Sequence, residues 1–151
     1  MNRLKLIALA ALSALLTGCA SVPTTSAARD ADAKKFQPEP GHANIYINRR
    51  NVFVGGAILA LTQADDRVVG PLAPGTFQLV HTPPGKHLIM ALNQFHEVEQ
   101  IEITTEKDKN YFFDLSVTMG LLHPGVKIKQ IADDEGRKGV LASKRAETFD
   151  Y

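Results

Sequence analysis

The most reactive side chain of the 151-residue sequence belongs to its single cysteine, Cys19. A short basic stretch with Arg3 and Lys5, and then an apolar run from Leu6 to Leu15, precede it. A basic stretch, an apolar run and small residues in this order are typical of a secretory signal. The apolar run has about ten residues, whereas a helix that crosses a bilayer needs roughly 20. We therefore predict that residues 1–18 direct export and are then removed.

Residues 16–19, Leu-Thr-Gly-Cys, resemble a bacterial lipobox, at which the cysteine sulfur is acylated and the chain is cut just before the cysteine. Lipoproteins with this motif carry more than one acyl chain, palmitate among them, whereas one chain alone holds a protein only weakly. The next residue, Ala20, is not the Asp that retains such proteins in the inner membrane. The resemblance implies lipidation of Cys19 and attachment to the periplasmic face of the outer membrane. The alternative is an ordinary cleaved signal whose cysteine is incidental, and in a Gram-positive cell no outer membrane exists.

Two histidines, His81 and His87, flank the connection from Thr82 to Lys86. If Thr82 paired with Lys86 in a hairpin, the two imidazoles would lie on one face with their Cβ atoms about 5 Å apart. Such a pair could bind zinc, although a catalytic zinc site usually takes three protein ligands. The third ligand would have to come from the other histidines, which are His42, His96 and His123. We favour a polar cross-strand pair without a metal, and we expect no cofactor.

The other candidate sites lack the pattern that their chemistry requires. Asp65-Asp66 and Asp133–Glu135 lack the alternating ligands and the glycine of a calcium loop, and they predict a solvated turn and a helix start. Ser116 lies in the middle of a predicted strand without the glycines of a nucleophile elbow. Gly55-Gly56 lacks the lysine of a phosphate loop and predicts a bend. These observations favour a protein that is not an enzyme.

The charge balance argues against nucleic acid as a partner. The chain has 17 Lys and Arg residues against 16 Asp and Glu residues, and Arg3 and Lys5 leave with the signal. A nucleic-acid-binding domain normally carries a strong excess of basic residues. Because Cys19 is the sole cysteine, the fold has no internal disulfide and depends on its core.

Alternating apolar residues predict a mainly β domain over residues 42–147. The clearest strand is Asn110–Thr118, and about seven such strands follow one another at roughly 10-residue spacing, which favours a small antiparallel β-sandwich. Acidic residues predict a short C-terminal helix over about 134–145. We expect residues 148–151 to form a tail.

The segment between the cysteine and the sandwich, residues 19–41, is rich in Ser, Thr, Ala and Pro. It lacks a sustained apolar period, so we predict a flexible tether that holds the domain away from the membrane. A short helix over Ala27–Lys35 is possible. Within the sandwich, Phe112 is out of phase with the predicted core face, which suggests a second buried layer under the C-terminal helix.

The order of short motifs resembles a family of small bacterial envelope proteins catalogued as a domain of unknown function. The segments that carry this resemblance, over about residues 40–145, are Gly41–Arg50, Gly55-Gly56, Pro83–His87 (Pro-Pro-Gly-Lys-His), Asn110–Phe112 (Asn-Tyr-Phe) and Asp134–Arg137. The resemblance implies a β-sandwich, often on a lipoprotein, and brings no site residues. Members often have Asp-Gly-Lys at one turn, where this chain has Asp65-Asp66-Arg67.

We therefore expect a lipid-anchored cell-envelope module that presents its surface to an envelope protein or a cell-wall component. The loop Met119–Gly125 is a candidate contact, since binding residues are often carried on loops. The alternative is a periplasmic carrier or sensor of a small apolar or glycan ligand. A hydrolase or metal enzyme is a third hypothesis.

Overall fold

The fold is taken from a computed structural model that describes residues 20–149. In chain order the elements are α1 (Ala27–Ala33), β1 (Ala43–Arg49), β2 (Ala60–Ala64), β3 (Arg67–Leu72), β4 (Thr76–Thr82), β5 (Gly85–Asn93), β6 (Val98–Thr105), β7 (Asn110–Met119), β8 (Pro124–Ile131), α2 (Asp133–Leu141) and β9 (Lys144–Arg145). One sheet has the strand order β8-β7-β1-β4-β9 and the other β3-β2-β5-β6. The prediction of a mainly β sandwich with a short C-terminal helix is confirmed.

Strand β1 forms the centre of the five-stranded sheet. It is antiparallel to β4 and parallel to β7, and all seven of its residues are buried. The parallel pairing differs from the expected antiparallel sandwich. It arises because five strands separate β1 from β7 in the chain, and four of them, β2, β3, β5 and β6, form the second sheet. A strand covered on both faces can accept a parallel neighbour.

The space between the sheets contains the larger core. Ile45 and Ile47 of β1 face it, together with Phe113 and Leu115 of β7, and all four are buried. The two strands therefore present their alternating apolar residues to the same side, as their sequence pattern predicts. The four-stranded sheet of β3, β2, β5 and β6 closes this core from the opposite side.

The outer face of the five-stranded sheet carries the second buried layer that Phe112 suggested. Its ring stacks on Tyr46 with a centroid separation of 5.0 Å, and both side chains pack with Val140 of α2. Gly136 of α2 lies directly over the Phe112 ring, where a Cβ atom would overlap the ring carbons. The predicted second layer is thus confirmed, and it explains why the helix carries a glycine in its middle.

The segment expected to be a flexible tether is packed on the domain instead. Within α1, Ala33 is buried and its carbonyl accepts a hydrogen bond from the Tyr46 hydroxyl at 2.8 Å. Phe36 covers the edge of the outer layer, with its ring centroid 5.4 Å from that of Tyr46. At the start of the described chain, Ala20 N donates to Gly56 O at 2.9 Å. The two apolar side chains Ala33 and Phe36 are enough to hold this segment on the domain, because the sheet supplies aromatic partners for them. These partners are distant in the sequence, so the segment's own residues do not reveal them.

The C-terminal helix is shorter than expected. It ends at Leu141, and Lys144 N then donates to Gly75 O as the chain enters β9 beside β4. The described residues also contain more strands than the seven expected, since β3 and the two-residue β9 are separate elements. Among residues 20–149, no helix has both the length and the apolar character needed to cross a membrane.

Candidate functional site

The structure separates the two histidines that the sequence placed on one hairpin. Strand β4 pairs with β1 in one sheet, and β5 pairs with β2 and β6 in the other. The Pro83-Pro84 connection therefore leads the chain from one sheet to the other, and the predicted hairpin is wrong. His81 is exposed, whereas His87 is buried at the corner between the sheets.

His87 is the centre of a polar cluster at this corner. Its Nδ1 lies 2.8 Å from Asp65 Oδ2, and its Nε2 lies 2.9 Å from the carbonyl oxygen of Pro83. The hydroxyl of Thr105 also donates to Pro83 O, at 3.0 Å. The cluster therefore joins the β2–β3 turn, the β4–β5 connection and the end of β6.

The hydroxyl of Thr82 completes an Asp–His–hydroxyl arrangement, the layout of a hydrolase triad. Thr82 Oγ1 lies 2.8 Å from His87 Nε2 and 3.1 Å from Nδ1, so it sits beside the edge of the ring rather than in line with one nitrogen. Thr82 is also buried, and Pro83 O shares the same Nε2. Because the hydroxyl is not in line with either ring nitrogen and Nε2 is shared with a carbonyl oxygen, this geometry favours a structural role. We call Asp65, Thr82, Pro83 and His87 the clamp.

Asp65 contacts His87 from a tight turn between β2 and β3. It adopts a φ of 53°, which confirms the predicted turn at Asp65-Asp66. Its Oδ1 accepts a hydrogen bond from Leu88 N at 2.9 Å. Burial raises the pKa of the Asp65 carboxyl, but the hydrogen bonds from His87 and Leu88 outweigh this and hold the pKa below its ordinary value. The carboxylate is therefore the stable form in this position.

A cleft of about 540 Å³ opens beside the clamp. Its apolar wall comes from β3 and β4, including Val69 and Leu79, and its polar rim includes Arg67 and His81. Phe149 lines one side and is fixed by a hydrogen bond from its N–H to Val69 O at 2.9 Å. Small-molecule sites usually have volumes of about 300–1,000 Å³, so the cleft has the size of a ligand site.

The other histidines are distributed around the described domain. His96 adopts a φ of 62° in the β5–β6 turn, and His123 pairs with Glu97 at 3.2 Å. Over residues 20–149, no three side chains of His, Cys, Asp or Glu converge in a way that could hold a metal ion. His81 and His87 therefore lack a third ligand within this part of the chain.

The remaining predicted positions have simple places in the fold. Asp133 begins α2, which confirms the predicted helix start, and it pairs with Arg137 one turn later at 2.5 Å. Ser116 is half-buried on the outward face of β7. Cys19, the proposed lipidation site, lies outside the described residues.

Sequence reasoning missed the Asp65–His87 contact. The two residues are 22 positions apart and come from a turn and a strand that only the sheet brings together. The sequence offers one signal for the role of Asp65, a turn with two adjacent acidic residues and no glycine. Asp tolerates the positive φ that such a turn needs, so Asp65 was a candidate for that position.

Comparison with known proteins gives one relative whose length the chain largely covers. The chain is 33% identical over 127 residues to an uncharacterized protein of Haemophilus influenzae, and the alignment covers 83% of this chain and 74% of that protein. The chain belongs to the same family as that protein. No family model matches the chain. Because the alignment covers 83% of this chain, most of the two-sheet domain is common to this family. The resemblance to a domain-of-unknown-function family stays a prediction.

Proposed function

We propose that this protein is a lipoprotein of the bacterial cell envelope, anchored through Cys19 at the periplasmic face of the outer membrane. In this proposal it is a non-catalytic module that binds an envelope protein or a cell-wall component. The observation that carries the proposal is the order of residues 3–19, a basic stretch, an apolar run and Leu-Thr-Gly-Cys, immediately before a folded domain.

The chemistry of the polar cluster supports a non-catalytic role. Both ring nitrogens of His87 already face oxygen atoms of the domain, from Asp65 on one side and Pro83 on the other. The adjacent Thr82 hydroxyl is buried. A general base needs a nitrogen within reach of the proton that it removes from the substrate. The clamp therefore favours fixing the sheets together over reacting with a substrate.

The anchor is tested by cell fractionation and by mass analysis of the mature amino terminus. For the wild type we expect a chain that starts at Cys19, carries acyl groups and lies in the outer-membrane fraction. Cys19→Ser should lack the acyl groups, keep residues 1–18 and leave that fraction, whereas the control Ser21→Ala should behave as the wild type. A soluble, unmodified wild-type protein would refute the anchor.

A second variant tests the choice of membrane. Ala20→Asp places an acidic residue directly after the lipidated cysteine, as in lipoproteins that stay in the inner membrane. We expect the variant to be acylated normally and to move to the inner-membrane fraction. Unchanged outer-membrane location of the variant would contradict the proposed sorting while leaving acylation intact.

The cleft favours a second candidate function, a carrier or sensor of a small apolar or glycan ligand. An apolar naphthylamine dye that fluoresces on leaving water is a direct probe of this candidate. Val80→Trp narrows the cleft and should abolish dye binding, whereas Val98→Trp, at an exposed valine on the opposite end, should not. If the wild type does not bind the dye, the hypothesis of a carrier for an apolar ligand is refuted.

A further inference from the structure

One end of the sandwich carries an exposed apolar surface, which we call the apolar tip. It consists of residues 51–56, between β1 and β2, and residues 119–122, which comprise the last residue of β7 and the start of the loop to β8. Phe53, Leu121 and Leu122 are each at least 90% exposed, and Val52, Val54 and Met119 are at least half exposed. Residues 51–56 and 119–122 contain no charged residue, and Arg50 directly precedes the first of these segments. Clustered exposed apolar side chains mark a surface that contacts another molecule or a membrane.

The two loops are neighbours at this end of the domain. A Cβ atom at Gly55 would lie 2.7 Å from Cβ of Val117, so the first loop presses against the end of β7. The second loop begins two residues further along β7. Their apolar side chains therefore belong to one end of the molecule, opposite the end that carries His87 and the cleft.

The apolar side chains are held outward by a fixed backbone. The buried guanidinium of Arg49 donates to Gly55 O at 2.8 Å and to Ile58 O at 2.5 Å. These two hydrogen bonds fix the backbone of the first loop where it turns back towards β2. Asn93 Nδ2 donates to Pro124 O at 2.8 Å and fixes the strand that follows the second loop. With its carbonyls held in this way, the first loop is fixed in a shape that leaves Phe53 exposed.

The chain enters the domain at the same tip. Ala20 N donates to Gly56 O at 2.9 Å. Consecutive Cα atoms are about 3.8 Å apart, so Cys19 is at most one residue step from this loop. An acyl group on the Cys19 sulfur therefore originates beside the apolar tip.

We propose that the apolar tip inserts into the phospholipid leaflet that holds the acyl chains of Cys19. The domain then stands directly on the membrane, with the Phe53 and Leu121–Leu122 side chains among the acyl chains near the headgroups. This inference rests on the proposed acylation of Cys19. In this arrangement the domain contacts the membrane directly, whereas the sequence predicted a tether between them. Residues 20–41 pack on the domain, so they contribute no free length between the lipid and the domain.

A phospholipid leaflet fits the tip better than a protein partner does. An acyl chain on Cys19 is attached one residue before the contact between Ala20 and Gly56, so the leaflet is near the tip in every acylated molecule, whereas a protein partner would have to be recruited to it. Apolar groups inserted at the interface reach about 5–10 Å into the boundary between headgroups and acyl chains, a depth that loop side chains can reach.

The absence of tryptophan from the chain allows a direct test. Phe53→Trp and Leu122→Trp each place one reporter on the tip, and Lys107→Trp places a matched reporter on the exposed β6–β7 turn at the opposite end. Each acylated protein is purified from membranes, its acylation is verified by mass, and it is reconstituted into vesicles of phosphatidylethanolamine and phosphatidylglycerol. Part of the lipid carries bromine atoms on its acyl chains, which quench nearby tryptophan.

We expect both tip reporters to shift to shorter emission wavelength and to lose emission to the brominated chains, while the Lys107→Trp reporter does neither. If acylated, vesicle-bound tip variants emit as they do in water, the insertion is refuted and the lipid anchor stands. A blue-shifted tip reporter that brominated lipid does not quench indicates a second copy or another protein on the tip and also refutes the insertion. If mass analysis finds no acyl group on Cys19, the proposed function itself fails.

Discussion

Arg49 is a buried cation whose partners are backbone carbonyls. Its guanidinium donates to the carbonyl oxygens of Gly55, Ile58 and Leu72, and burial lowers the pKa of this arginine. Arg49→Met should lower the free energy of unfolding by about 2–4 kcal/mol, because it leaves these buried carbonyls unpaired. The measurement is urea denaturation followed by circular dichroism.

The neighbouring residue supplies the control for this prediction. Arg50 is largely exposed, and its guanidinium lies 3.0 Å from the Asp114 carboxylate, whose side chain is 13% exposed. Because the Arg50 guanidinium stays in contact with water and no buried carbonyl loses its donor, Arg50→Met should lower the stability by about 1–2 kcal/mol, less than Arg49→Met. Equal losses in both variants would contradict the role assigned to the buried carbonyl contacts.

Gly136 illustrates a helix position where alanine is unfavourable for a tertiary reason. In an isolated helix, Gly→Ala is stabilising by about 1 kcal/mol. Here the added Cβ atom would overlap the Phe112 ring, so we expect Gly136→Ala to destabilise by about 1–3 kcal/mol. Phe112→Leu in the same chain should recover part of the loss, and a double-mutant cycle measures this coupling. Simple additivity of the two substitutions would contradict the proposed overlap.

The Asp65–His87 contact predicts a pH dependence of stability. Folding lowers the pKa of Asp65, so the stability it contributes is complete above its unfolded pKa of about 3.9 and is lost as the pH falls through the folded value. The difference in unfolding free energy between wild type and Asp65→Asn should shrink as the pH falls below about 4, because the Asp65 carboxyl is then protonated in the folded protein as well. Asp66→Asn, in the same turn, is the control. A difference that grows on acidification would show that the sign is wrong.

At the scale of elements, the packing of residues 20–41 is the feature that changes the picture most. Phe36 contacts Tyr46 and Phe112, and the Arg137 guanidinium stacks over its ring at 4.6 Å. Phe36→Ala should release α1 from the sheet and expose Arg29, Lys34 and Lys35 to trypsin. The test compares cleavage rates in wild type and variant. Phe53→Ala, at an exposed phenylalanine, should leave the rates unchanged. Rapid cleavage of the wild type at these residues would contradict the packed arrangement and support a flexible tether.

The strands could be predicted from the sequence because their signal is local. Apolar residues at every second position identify one face of Ala43–Arg49 and of Asn110–Thr118, and the structure places both segments in strands. Pairing between strands is not a local property. The connection Thr82–Lys86 has the turn residues of a hairpin, yet β4 and β5 join different sheets, since each strand finds apolar partners elsewhere.

The same distinction separates the predictable and unpredictable parts of the candidate sites. The proposed lipobox is contiguous in sequence, so it can be predicted without a structure. The clamp at His87 and the apolar tip both depend on loops that meet only after the sheets have formed. Phe53 and Leu121, for example, are 68 positions apart in the chain and carry no periodic signal. Whether these two side chains are exposed can be known only once the structure shows which residues form the core.

At the scale of the whole molecule, the two ends of the sandwich have different chemistry, and under the proposed acylation of Cys19 the contact between Ala20 and Gly56 determines which end faces the membrane. Inserting about eight Gly and Ser residues between Cys19 and Ala20 adds a mean span of roughly 15 Å without changing the domain. Acylation and outer-membrane location should persist, since the lipobox is intact. Quenching of the Leu122→Trp reporter by brominated lipid should fall towards the Lys107→Trp value, because a longer linker lowers the effective concentration of the tip at the leaflet. Undiminished quenching would mean that the tip holds the membrane by its own affinity and that the short connection at Gly56 contributes nothing to the orientation.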